Sequence, residues 1–162
     1  PMQVCRNDVS KEISICPMER SDADFVLEIR NDDTTRFYVH DQRIFTKSDF
    51  VLWYEANKPK WYIVKNDNQP FGYFRTSNLD EQNCSIWLGL DIHPNFRGKG
   101  LAKLAYAEFF KILKSNGYKK FFLEVLSHNF VARKLYEDLG FVEAGREAYE
   151  HAIESIKMEM AI

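Results

Sequence analysis

Arg97-Gly98-Lys99-Gly100-Leu101-Ala102 places two glycines and two cations in six positions, between the strand-like Leu90-Asp91-Ile92 and a run of helical periodicity that starts at Leu101. A glycine turn between a strand and a helix exposes unpaired backbone N–H groups at the helix N-terminus, where the positive end of the helix dipole also points. Such a turn suits an anion. Gly98 and Gly100 keep Cβ atoms clear of a ligand, Ala102 lets a bulky group approach the first helical turn, and Arg97 with Lys99 or Lys103 reaches further phosphate oxygens. Neither GxxxxGK[ST] nor GxGxxG occurs, which weakens nucleoside-triphosphate and dinucleotide readings. By itself the turn fits equally well a helix start with a solvated basic face.

The other reactive residue types form no comparable pattern. Cys5, Cys16 and Cys84 are odd in number and scattered, as expected of reduced thiols, and Cys16 and Cys84 lie in strand-like runs that suggest small core residues. His40, His93, His128 and His151 show no metal-ligand spacing, so no metal is expected. A formal net charge of -2 gives no general attraction to nucleic acid or to an anionic membrane, so recognition of phosphate has to be local. With 162 residues, 45% of them hydrophobic, the chain can bury one core without disulfides. No apolar window of about 18 residues and no signal-peptide layout is present, so a cytoplasmic protein is expected. Pro1 ahead of Met2 reads as a residue added in cloning, residues 1–11 as an N-terminal extension, and 12–162 as a single domain.

The elements that position the turn are legible from periodicity. Residues 12–18 alternate as a strand, and 21–33 follow as a helix with Ser21 as cap and Phe25, Val26 and Ile29 on one face. Residues 46–57 form a second helix, while 34–45 have no clear period. Three strand candidates separated by turn-like segments, within 60–92, suggest an antiparallel meander. The helix after the glycine turn runs to Asn116-Gly117, and a strand at 119–127, a helix at 129–140 and a closing hairpin complete the order.

Arg97–Ala102 resembles the Q/R-x-x-G-x-G/A signature of the GNAT family of N-acetyltransferases. The segment Leu123-Glu124-Val125 followed by Asn129, Ala132, Leu135-Tyr136 and Gly140-Phe141 resembles that family's later motif. The resemblance covers nearly the whole chain beyond residue 11, and two motifs at the expected separation carry it. It implies an α/β fold with a mixed, mostly antiparallel sheet splayed at an acetyl-CoA site and helices on both faces. It also implies diphosphate on residues 97–102 with Lys103 beside them, a pantetheine arm along Leu90, Asp91 and Ile92, and a contact from Asn129.

Acetyl transfer to an amine requires a neutral nitrogen, stabilisation of oxyanion charge and a proton for the departing thiolate. By resemblance, Tyr136 supplies that proton, and Glu124 is the general base of the ribosomal-protein branch. Glu124 is the one carboxylate in an apolar strand, where burial would raise its pKa. The open alternatives are a solvent-facing glutamate and proton removal through ordered water. A looser likeness to nucleotide-amino-sugar acetyltransferases points to a small-molecule amine, with Phe37, Tyr38, Trp53 and Tyr149 as stacking candidates and Asp32, Asp33 or Glu150 as ammonium partners. A protein N-terminus, a polyamine or an amino acid is the rival acceptor, and a catalytically idle CoA-binding module is the rival class. The chain is expected to act as a monomer or homodimer.

Overall fold

The computed structural model describes residues 12–162. Strand β1 (Ile13–Pro17) leads through a tight turn into helix α1 (Ala23–Arg30), the short α2 (Asp33–Arg36) and α3 (Lys47–Asn57). Strands β2 (Trp61–Asn66), β3 (Gln69–Asp80) and β4 (Ser85–Ile92) follow, then α4 (Leu101–Ser115), β5 (Lys120–Leu126), α5 (Phe130–Leu139), β6 (Val142–Glu150) and β7 (Ile153–Ala161). This is the expected order with α2 added inside the segment that lacked a period. The cap expected at Ser21 is elsewhere: Glu19 and Asp22 form a reciprocal capping box around the turn Arg20–Asp22.

The strands make one sheet in the order β1-β2-β3-β4-β5-β7-β6, antiparallel except where β4 meets β5. That parallel contact is short, running only from Ser85↔Lys120 to Trp87↔Phe122. Beyond it β4 stays with β3 as far as Gly72↔Ile92, while β5 stays with β7 as far as Leu126↔Ser155. The two halves of the sheet therefore diverge, and Leu88–Ile92 lose their β5 neighbour. The splay expected from the family resemblance is present.

Helix α4 follows the glycine turn and puts Leu101, Ala105, Phe109 and Leu113 on one side, all buried against Phe74, Phe121 and Leu123 of the sheet. The rings of Phe109 and Phe74 lie 4.2 Å apart. On the opposite face α1 and α3 pack Val26, Ile29 and Phe50 on Ile63 and Tyr73. This second cover reaches β2, β3 and, through α1, β4, and among the described residues no helix covers the corresponding face of β5 and β7. The core roles expected for the cysteines are not met. On edge strand β1 alternation sends Ile13 and Ile15 inward and leaves Cys16 exposed, whereas Cys84 sits half-buried in the β3–β4 turn with a left-handed φ of 53°. Cys5 lies outside the described residues.

Candidate active site

The site begins at the glycine turn. Gly98 and Gly100 have φ of 72° and 74°, a conformation that favours glycine, and a Cβ at either would meet nothing within 4 Å. Gly100 caps α4 without a side chain, and no acidic residue occupies the first helical turn. No side chain caps the N–H groups there, an arrangement suited to an anion. The cations are arranged differently from one another. Lys99 lies 5.5 Å from the ring centre of Phe96, and Lys103 pairs with Asp138 of α5 at 3.1 Å. Arg97 is committed to the protein: Nε donates to the Ile92 carbonyl at 3.0 Å and its two terminal nitrogens donate to Thr34 and Thr35 Oγ1 at 2.6 Å each. It braces the turn against α2.

From the turn a cleft of about 740 Å³ runs into the splay between β4 and β5, lined by Leu90, Asp91 and Ile92 on one side and by Asn129, Ala132 and Tyr136 on the other. Asn129 caps α5, its Oδ1 accepting from Ala132 N–H at 3.2 Å. The Asp91 side chain is 9% exposed and accepts from Arg75 Nε at 3.0 Å. That carboxylate holds the Arg75 guanidinium firmly protonated. The pair depends on Gly89, where a Cβ would lie 2.6 Å from the guanidinium.

Tyr136 reaches the cleft because Ala132, Leu135, Tyr136 and Leu139 share the inward side of α5, with Phe130 and Val131 exposed. It is 8% exposed, and burial pushes its phenol up. The wholly buried Tyr106 meets it edge-on, with ring centres 6.1 Å apart.

Glu124 also lines the cleft, but the burial expected for it is absent: its side chain is 50% exposed. Alternation explains the difference, since Phe121, Leu123 and Val125 face α4 while Phe122 and Glu124 point to the uncovered face. Its carboxylate lies 3.7 Å from His40 Nε2.

His40 carries no signal in the sequence. It belongs to the aperiodic segment after α2, which folds over the cleft and is fastened by contacts distant in sequence. His40 Nε2 lies 2.8 Å from Ser155 Oγ, the Tyr149 hydroxyl donates to the His40 carbonyl at 2.6 Å, and His128 Nε2 donates to the Phe37 carbonyl at 2.9 Å. Tyr38 stacks on His128 at 5.0 Å, and Arg30 donates to the Asp41 carbonyl. Burial pushes the His40 imidazole below its ordinary range, opposed by the nearby Glu124 carboxylate.

The residues expected to meet the acceptor divide. Among the four aromatic candidates only Tyr38 lines the cleft. Trp53 packs with Phe50 and Trp61 on the outer side of α3, Phe37 packs on His128, and Tyr149 secures the segment through His40. Asp32 caps α2, Asp33 pairs with Arg36, and Glu150 sits beside His151 at the hairpin tip. Helix-end acids close to aromatics look alike in sequence whether they cap a helix or face a ligand.

The model of the acetyltransferase (GNAT) family matches residues 24–141. The uncharacterized N-acetyltransferase YycN of Bacillus subtilis is 46% identical over 90 residues, which cover 46% of this chain and 58% of that protein. An uncharacterized protein of Methanocaldococcus jannaschii is 30% identical over 118 residues, covering 68% of this chain and 24% of its own length. The chain thus spans about a quarter to three fifths of these curated relatives. Among solved structures, spermidine N-acetyltransferase from Vibrio cholerae in complex with CoA and spermine superposes with a TM-score of 0.84 at 20% identity, over 92% of this chain and 95% of that one. An N-acetyltransferase from Staphylococcus aureus Mu50 superposes with a TM-score of 0.74 at 18% identity, over 93% and 98%. At such identities the likeness concerns the fold.

Proposed function

The chain belongs to the acetyltransferase (GNAT) family, and from that premise we propose that it moves an acetyl group from acetyl-CoA to the primary amine of a small molecule of the nucleotide-linked amino-sugar type. The observation that carries the reading is the gathering of an uncapped glycine-turn helix start, an unpaired strand edge and an acid–base pair along one cleft.

The cleft residues fit acetyl-CoA. The N–H groups around Gly98–Ala102 suit a diphosphate, with no Cβ in the way, and the Leu90–Ile92 edge suits the extended arm, with Asn129 opposite. When bound, the coenzyme supplies the acetyl group as an activated thioester. Tyr136 holds its phenolic proton at Oη within the cleft, kept there by burial and available to a leaving thiolate. Glu124 offers a carboxylate to the acceptor ammonium and takes up the proton its nitrogen loses. His40, favoured in its neutral form, stands beside that carboxylate as a second acceptor. Arg97 ties the turn to α2.

The test is release of free CoA thiol from acetyl-CoA with a panel of amines: amino sugars linked to nucleotides, free amino sugars, polyamines and peptides. Acceptor-dependent release confined to the amino-sugar members supports the reading. Release with peptides or spermidine alone replaces the acceptor, and CoA binding without release with any amine makes the chain a binding module.

A further inference from the structure

The acetyl transfer just described makes no use of an aromatic and cationic platform on the uncovered sheet face beside Glu124. Trp87 of β4 and Phe122 of β5 are register partners in the parallel pair, with ring centres 5.2 Å apart and planes inclined by 24°. Lys157 of β7 is the cross-strand neighbour of Glu124. Opposite charges so placed ordinarily pair. Glu124 instead turns to His40, and the Lys157 ammonium lies 4.7 Å from the centre of Phe122 and 5.4 Å from that of Trp87. Among the described residues no carboxylate lies within 4.0 Å of the Lys157 ammonium. Lys120 stands 5.1 Å from the Phe122 centre, its partner Glu159 at a loose 3.8 Å.

These residues line a groove of about 760 Å³ whose wall at Trp87 is shared with the reaction cleft. Asp80, whose carboxylate accepts from Asn83, and Glu81 also line it. Phe122 and Glu124 are two positions apart on one face of β5, which puts the platform about 7 Å from the carboxylate along the strand.

We propose that this groove binds the remainder of the acetyl acceptor: a flat ring against Trp87 and Phe122, and an anionic phosphate or diphosphate held by Lys157 and Lys120. The assignment rests on the acetyl-transfer reading for where the amine lies. An ammonium without an ion pair, resting on two half-exposed rings, can turn to an incoming anion while the rings keep a planar face for stacking. The separation from Glu124 is about the width of a sugar ring, so one ligand can place an amine at the carboxylate and its phosphate at the lysines. A polycation such as spermidine would set its own ammonium groups against Lys157.

The test titrates uridine diphosphate into the full chain held saturated with CoA, so that the coenzyme's own nucleotide site is filled, following tryptophan fluorescence and binding heat. Spermidine and inorganic pyrophosphate are titrated in parallel. Expected are binding of uridine diphosphate with quenching of fluorescence, weaker binding of pyrophosphate, and loss of about tenfold or more in affinity with Lys157→Gln, the scale of one charge-assisted contact. Trp87→Leu removes the quenching, and because Lys157→Gln alters only an outward-facing side chain, the test stands even if the tryptophan variant does not fold. No binding of uridine diphosphate to the CoA-loaded protein, unchanged affinity in Lys157→Gln, or preferential binding of spermidine overturns the proposal. Pyrophosphate binding as tightly as uridine diphosphate overturns the ring-stacking part. Failure of the wild-type chain to bind CoA sinks the acetyl-transfer reading instead, so the two failures are distinguishable.

Discussion

Tyr136 and Glu124 face one cleft from two different elements, and their surroundings differ in a way that fits separate tasks. Tyr136 is buried and keeps its proton, whereas Glu124 is half exposed beside an imidazole. Tyr136→Phe is expected to lower turnover by about 10²- to 10³-fold with CoA affinity unchanged, measured as thiol release against calorimetric binding. Unaltered turnover would remove the phenol from the chemistry. The imidazole yields a pH prediction with a definite sign. Burial lowers the His40 pKa from the ordinary 6.5, so the ring is neutral above that value and gains charge only as pH falls below it. Groups facing it are Glu124, Ser155, Tyr149 and Arg75. The acidic limb of kcat/KM is therefore expected below pH 6.5, and it should move in His40→Gln and be lost or displaced in Glu124→Gln. A limb identical in all three proteins would point to proton removal through water.

Elements set these residues in place through a few close approaches. Strand β4 can carry the Arg75–Asp91 pair over its surface only because position 89 is glycine. Gly89→Ala is expected to push the guanidinium off Asp91 and to cost about 1–3 kcal/mol, read as a lower denaturation midpoint with unchanged slope. At the start of α4 the constraint is the backbone itself. Gly100→Ala meets no neighbour, yet it forces a left-handed φ on a residue with a Cβ, at about 1–2 kcal/mol, and should weaken CoA binding as well. Helix α2 is joined to this turn through Arg97, so Thr35→Val should raise hydrogen exchange across residues 33–43 while α4 stays protected. Apart from α2, the order of the elements was legible because each has its own local period and its own stop, such as Gly117 after α4 and Gly140 after α5. The exposure of Glu124 was not legible in the same way. An apolar strand reads as buried on both faces, and here Phe122, apolar but half exposed, lies on the side that no helix among the described residues covers.

Across the whole molecule, two cores on opposite faces of one sheet leave an open patch between the α1–α3 cover and the β6–β7 hairpin; the groove lies there, and the cleft reaches it from the α4 side through the splay of β4 and β5. The cores also contain titratable groups. Tyr73 and Tyr106 are wholly buried, and burial raises both phenols well above the ordinary 10.0. The unfolded chain ionises first, so their contribution to stability is intact below about pH 10 and is lost as pH rises towards the folded values. Chemical denaturation scanned from pH 8 to 11 should show a plateau followed by a fall beginning near pH 10, less steep in Tyr106→Phe. What the sequence determined alone was what is local: helix and strand periods, the glycine turn that opens α4, and the paired motifs that resemble one family. What tertiary structure decided was which groups share the cleft with Glu124 and Tyr136. His40 meets residues 84, 109 and 115 positions away, and contacts across such spans are set by the divergence of β4 and β5 and the fold of the closing hairpin, which no stretch of neighbouring residues encodes.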